Sequence, residues 1–359
     1  MTLDPLVLPL LRAWPAITRR LVETAPRAAE TERARTESAP TDDDAGWTAK
    51  DIVAHLADVQ MWAFADRIAH MLTRKSPTFE NVDEAQRLDE SGLRDGSLED
   101  VLSSLELRRR WTLGMLEAAD PSGLDRTAHH SELGEIRVTH IGHVWAYHDL
   151  AHLRQIIGFL QPPLWARMRN TRRFSDPQSP VPADPPALGI APQAISTLTA
   201  MPDIVRSIID LLPDGRADSP PGTASAAGDW APRDIVAHLL ESQRVGFAGR
   251  ISHILTTESA RFEVRDAARD LDQSGYRDQS AGELLDMWDE QRIAATEHAA
   301  DLTDDQLSRA GEHATVGTLS VADLVHEWAH HDLEHLHHLC TMLEPPLLQG
   351  TGPFQIYYR

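Results

Sequence analysis

The sequence predicts an all-α protein made of two tandem four-helix bundles of up-down type. Three observations carry that prediction. Most of the chain repeats itself at an offset of 183 residues. Each copy holds four amphipathic segments of helical period. No run alternates apolar and polar residues with the period of two that a half-buried strand requires.

The repeat is read directly. Asp51-Ile52-Val53-Ala54-His55-Leu56 returns as Asp234-Ile235-Val236-Ala237-His238-Leu239. Trp145, His148-Asp149-Leu150 and His152-Leu153 return as Trp328, His331-Asp332-Leu333 and His335-Leu336, and Pro162-Pro163-Leu164 as Pro345-Pro346-Leu347. No gap is needed from Trp47 to Leu164. Upstream, Pro15 and Pro26 match Pro202 and Pro213 at an offset of 187, so the first copy carries four more residues in its first loop. A period this long is a whole domain rather than a solenoid unit. The expected boundaries are residues 1–164 for the first bundle, 165–188 for a linker, 189–347 for the second bundle and 348–359 for a tail. The linker holds Arg167, Arg169, Arg172 and Arg173, then prolines up to Pro185 and Pro186, and is expected to be extended. A tandem chain of this kind can pair its own copies as an internal pseudo-dimer, with a higher oligomer possible.

Within a copy, helix one is expected over about 5–24. Helix two opens on Thr48, with Asp51 at capping-box spacing and Trp47 and Ile52 placed as a hydrophobic staple; Pro232 suits the first turn of its partner. Helix three opens at Ser97 with Asp100, mirrored by Ser280 with Glu283. Helix four opens near Val138, its partner near Ser320 and Asp323. Both fourth helices are expected to stop before Pro162 and Pro345, because an interior proline removes a hydrogen bond and clashes with the preceding turn. The stretch between helices two and three, 76–96, is long for a bundle connection and a candidate functional loop.

On helix four Ile141, Trp145, His148, His152 and Ile156 recur at spacings of three and four, so the histidine pair lies on the apolar stripe. At about 100° per residue, rings at i and i+4 project to one side, one turn apart. His55 lies on the inward stripe of helix two. The second copy repeats all three as His238, His331 and His335. A single inward histidine is ordinarily a satisfied core residue. Three imidazoles kept inside twice, in the same places, point to a divalent metal site, with zinc or nickel the expected ion. Three histidine ligands leave a coordination position open for water or a thiolate, as catalytic sites do. Asp58 and Glu241, one turn beyond the helix-two histidine, are candidate general bases or extra ligands, or are simply solvated. Asp149 and Asp332 read better as surface groups or partners in an inter-helix hydrogen bond. His130 and His313 lie in the loop before helix four, where they would overhang the site. His330, His337 and His338 lack counterparts and read as ordinary polar positions.

Composition limits the alternatives. The net charge of −21 argues against nucleic-acid partners. One cysteine, Cys340, rules out an intrachain disulfide framework and suits a cytoplasmic setting, and no apolar stretch approaches a membrane span.

The set Trp47-x3-Asp51-Ile52-Val53-x-His55-Leu56, then His130-x3-Gly134, then His148-Asp149-x2-His152-Leu153-x-Gln155-Ile156 resembles the DinB/YfiT-like superfamily. The second copy has His338 where Gln155 stands. The resemblance implies a four-helix bundle with a three-histidine metal site. It also implies kinship with metal-dependent transferases of low-molecular-weight thiols, with maleylpyruvate isomerase, or with metal hydrolases. The expected function is therefore a metal-dependent enzyme acting on a small molecule, by thiol transfer with a low-molecular-weight thiol as co-substrate, or by hydrolysis. The rival is a non-catalytic metal-binding or partner-binding module.

Overall fold

A computed structural model describes residues 2–32, 46–182, 189–219 and 230–358. Its contacts divide into two compact units: Met1–Phe159 with Leu211–Pro213 and Cys340–Arg359, and Leu160–Asp210 with Asp214–Leu339. Each contains a four-helix bundle.

In the first copy of the repeat helix one is Val7–Glu23, and Leu10, Leu11, Trp14 and Leu21 on one face are buried. Helix two starts at Ala49 with the anticipated cap: the Asp51 amide donates to Thr48 Oγ1, and the Thr48 amide donates to Asp51 Oδ2. It runs to Val59 as α-helix, passes through a π-helical turn at Gln60–Ala65, and continues as Asp66–Thr73. Helix three is Leu98–Glu117 behind the Ser97–Asp100 capping box, and helix four is Val138–Trp165. The second copy of the repeat follows the same plan with Pro192–Ile209, Pro232–Glu241 extended through a π-turn at Ser242–Phe247 into Ala248–Thr256, Ala281–Ala300 and Val321–Gly350.

Three features depart from expectation. First, both fourth helices run through their proline pairs. The Ala166 amide still bonds Pro162 O at 2.9 Å, and Leu164 and Leu347 beyond the prolines are fully buried. Burying one leucine contributes about 1.5–3 kcal/mol, which offsets much of the cost of the missing amide donors. Second, the arginine-rich half of the linker is not extended. It forms turns and the short helix Arg172–Ser175, because Asp323 Oδ1 accepts from the Arg169 amide and from Thr171 Oγ1. Pro185 and Pro186 lie outside the described residues.

Third, each unit carries a small three-stranded sheet. In the first, β1 Thr78–Phe79 pairs in parallel with β2 Thr127–His130, which pairs antiparallel with β3 Gly134–Arg137. Arg261–Phe262, Ala310–His313 and Gly317–Ser320 repeat it. Strands of two to four residues are too short to display a period. The signal that was present is Gly134, whose φ of 73° lies in the left-handed region and closes the hairpin.

Each bundle is tied at its centre by one arginine. Arg109 of helix three, fully buried, donates to Leu11 O on helix one at 2.9 Å and to Gln60 Oε1 on the π-turn at 2.5 Å, and lies 2.6 Å from Asp149 Oδ2 on helix four. Arg292 makes the same three contacts, with Leu198 O, Gln243 Oε1 and Asp332 Oδ2. Each guanidinium also lies over the tryptophan of helix four, Trp145 or Trp328, 4.8 Å from the ring centre.

Arg109→Met strands the Asp149 carboxylate without a counter-ion, and we expect it to cost about 3–5 kcal/mol in urea unfolding followed by tryptophan fluorescence. The double change Arg109→Met with Asp149→Leu should recover most of that loss. A single variant within about 0.5 kcal/mol of wild type would contradict the anchoring role.

Candidate metal centre

The core stripes of helices two and four bring the three histidines of each copy together. His55 Nε2 lies 3.1 Å from His148 Nε2, and His152 Nε2 lies 3.2 Å from the same atom. In the second copy His238 Nε2 lies 3.1 Å from His331 Nε2, and all three donor atoms of each triad fall within 4.8 Å of one another. A shared ion with metal–nitrogen bonds of about 2.0–2.1 Å would separate tetrahedral nitrogen ligands by about 3.3 Å.

Hydrogen bonding alone does not account for this convergence. His152 Nδ1 donates to Gln155 Oε1 at 2.9 Å, which leaves the Nε2 lone pair facing the other rings. His148 Nε2 has one in-plane site, either a proton or a lone pair, yet two imidazole nitrogens approach it. The Nδ1 atoms of His55, His148, His331 and His335 are buried with no hydrogen-bond partner among the described residues. Such a cluster costs stability unless its Nε2 side is well used. The donor set fits a divalent ion.

Burial and the neighbouring rings hold His55, His148 and His335 well below the usual imidazole range, and burial together with His331 brings His238 down to about 3. At neutral pH these rings are uncharged, the form that ligates. The surroundings are aromatic. Phe64 is carried inward by the π-turn, stacks on Trp145 at 5.2 Å and meets His148 edge-on at 5.9 Å; Phe247 does the same to Trp328 and His331. Neither sequence period nor caps revealed the π-turns, which rest on tertiary packing.

Asp58 and Glu241 are buried beside the centre and held by other partners. Asp58 accepts from Trp62 Nε1 at 2.9 Å and has Arg87 at 3.7 Å, and burial raises its pKa. Glu241 is paired with Arg244 at 2.9 Å and Arg265 at 3.3 Å. A carboxylate that sequence reasoning did not single out comes nearer: Glu84 Oε2 stands 3.6 Å from His55 Nε2. Its only prior signal was its place in the long 76–96 segment, where it opens the helix Glu84–Ser91. Its counterpart in the second copy is Ala267.

Asp149 and Asp332 are inter-helix partners of the buried arginines, not surface groups. His143 and His326 anchor the start of helix one: Nδ1 donates to the carbonyl one turn back, and Nε2 accepts the amide of Asp4 or Ala191. His130 packs edge-on against Phe354 at 6.2 Å and His313 against Phe174 at 5.2 Å. His330 and His338 are not ordinary polar positions: His330 is buried against Trp165, and His338 lies 5.4 Å from the His335 ring. Burial pushes the Cys340 thiol up to about 12, which agrees with an inert cysteine. Among the described residues no helix is long and apolar enough to cross a membrane.

Comparison with known proteins follows the same halves. A family model for the DinB superfamily matches twice, over residues 10–156 and 197–339. A protein of Oceanobacillus iheyensis, named "Putative metal-dependent hydrolase", is 31% identical over 123 residues, covering 33% of this chain and 69% of its own length. A protein of Bacillus mycoides with the same name is 27% identical over 123 residues, covering 33% and 68%. Among solved structures, YfiT from Bacillus subtilis aligns at 20% identity and a TM-score of 0.39, over 44% of this chain and 91% of its own. Both family matches contain a whole histidine triad and together span most of the sequence, so the chain belongs to the DinB superfamily, in two tandem copies.

Proposed function

We propose that each copy holds one divalent ion, zinc or nickel first, on its three histidines, and that the chain is a metal-dependent enzyme acting on a small molecule. The observation that carries this reading is the approach of two imidazole nitrogens to His148 Nε2, which one hydrogen bond cannot satisfy. The names of the two relatives speak for hydrolysis. Bound there, the ion would supply a Lewis acid and an acidified water or thiol.

The chain's own residues divide the remaining work. Gln155 fixes the tautomer of His152 and so the direction of its Nε2. Phe64 and Trp145 exclude water from the inner wall. Glu84, half-exposed at 3.6 Å from His55, is placed to take a proton at its carboxylate oxygen in the first copy. Asp58 and Glu241 are assigned to holding the neighbouring arginines and, through them, the rim. Transfer of a low-molecular-weight thiol would use the same centre and differs in its nucleophile; turnover that requires added thiol would select it over hydrolysis.

Elemental analysis of protein purified without chelator should give two metal ions per chain. His55→Ala should lower the count to one, as fully as His148→Ala, because two ligands on one helix make a loose chelate that the third closes. His238→Ala should do the same for the other copy. A count near zero in wild type would sink the metal centre, and full occupancy in a folded His55→Ala would remove that residue from it.

The depressed histidines also fix the sign of a pH effect. Between their folded pKa values and the ordinary 6.5, a window reaching down to about 3 for His238, the unfolded chain binds more protons than the folded one. The contribution of these histidines to the stability of the metal-free protein should therefore fall as pH drops below about 6.5, while Asp149, raised to about 6, contributes with the opposite sign over the same range. The check is the difference between wild type and His238→Ala in thermal melts from pH 7.5 to 4.5; a difference that does not change with pH would contradict a neutral buried imidazole.

A further inference from the structure

The second copy holds a cleft of about 310 Å3. Its lining includes Arg250, Arg261 and Arg265, with His253, Phe262, Val245 and one carboxylate, Glu263. A cluster of three arginines is out of character for a chain of net charge −21.

Position-by-position comparison explains the cleft. Arg250 is the repeat of Arg67. In the first copy Arg67 lies 5.7 Å from the Trp62 ring, donates to Glu80 O, and feels the negative charge of Glu84. In the second copy Val245 stands for Trp62, Ala267 for Glu84 and Arg265 for Val82. The first change removes an indole and leaves space. The second removes an anion, and the third adds a cation. Arg265 is already paired with Glu241 and Asp270. Arg250 is not: its guanidinium carbon lies 5.4 Å from the ring centre of Phe174 and 5.6 Å from that of Phe262, and it donates no hydrogen bond to a protein group among the described residues. The charge of the buried Glu327 carboxyl reaches it, and no hydrogen bond or ion pair joins the two. A guanidinium set against aromatic rings and bonded to no protein acceptor has its planar edge for a ligand, and that edge matches a carboxylate or phosphate.

We propose that this cleft is an anion-docking subsite of the second copy, which takes the carboxylate or phosphate group of a small substrate. Arg250 is the docking residue, Phe174 and Phe262 hold its plane, and Arg265 sets the positive field while bridging to Glu241, one turn from His238. The role in substrate choice rests on the metal-enzyme reading above; the binding of an anion does not.

The test is calorimetric titration of the full chain with inorganic phosphate and, separately, with acetate, before and after metal removal. Either anion or both should bind at one site per chain, with a Kd on the order of 1 mM, and the tighter one identifies the preferred group. Arg250→Met should weaken that binding at least tenfold, while Arg67→Met should leave it within twofold. Ala267→Glu, an exposed position that restores the carboxylate of the first copy, should weaken it similarly and guards against a folding defect in Arg250→Met. Binding retained after metal removal and lost in the variants supports the subsite whatever the fate of the metal centre. Absence of saturable binding, full affinity in either variant, or binding abolished by chelation would overturn it; the last would place the anion on the metal and leave that centre standing.

Discussion

The buried arginine of helix three is the constraint on which each bundle depends. Arg109 reaches a backbone carbonyl of helix one, the π-turn of helix two and a carboxylate of helix four. A charge so deeply buried has few tolerable arrangements, since leaving an ion unpaired in a core costs about 3–5 kcal/mol. Burial pushes Asp149 up to about 6 even with the guanidinium beside it. Asp149 adjoins His148 in sequence, so the same contact that sets the rotation of helix four aims His148 at the centre. Gln60, the other side-chain partner, starts the π-turn that brings Phe64 onto the rings. Fold and site are therefore fixed by one polar contact set, repeated in full around Arg292.

Duplication freed the surroundings more than the centre. The triad and the arginine anchor are retained in both copies, whereas the rim has diverged. One copy has Trp62, Glu84 and Gln155 where the other has Val245, Ala267 and His338. Such changes alter the charge and room beside a centre without altering its donor set.

Much of this was legible in the sequence, for identifiable reasons. The repeat and the capping boxes at Thr48, Ser97 and Ser280 gave element starts, since a cap is a local contact written within four residues. The histidines were legible because the helical period alone puts His148 and His152 on one face. Arg109 was not: a charged residue on a helix reads as solvated, and only the tertiary structure reveals its buried partners. The same holds for Glu84, brought near His55 by a loop path that no period encodes. The short strands left no pattern, and the proline pairs gave a misleading one, because burial of Leu164 and Leu347 outweighed local propensity.

That each triad is a metal centre is tested most directly by anomalous diffraction. Crystals grown from protein purified without chelator would be recorded on both sides of the absorption edge of the metal found. Two peaks per chain are expected, each about 2.0–2.2 Å from three Nε2 atoms, one at His55, His148 and His152 and the other at His238, His331 and His335. Peaks placed elsewhere, or none at the triads in protein that carries metal, would contradict it.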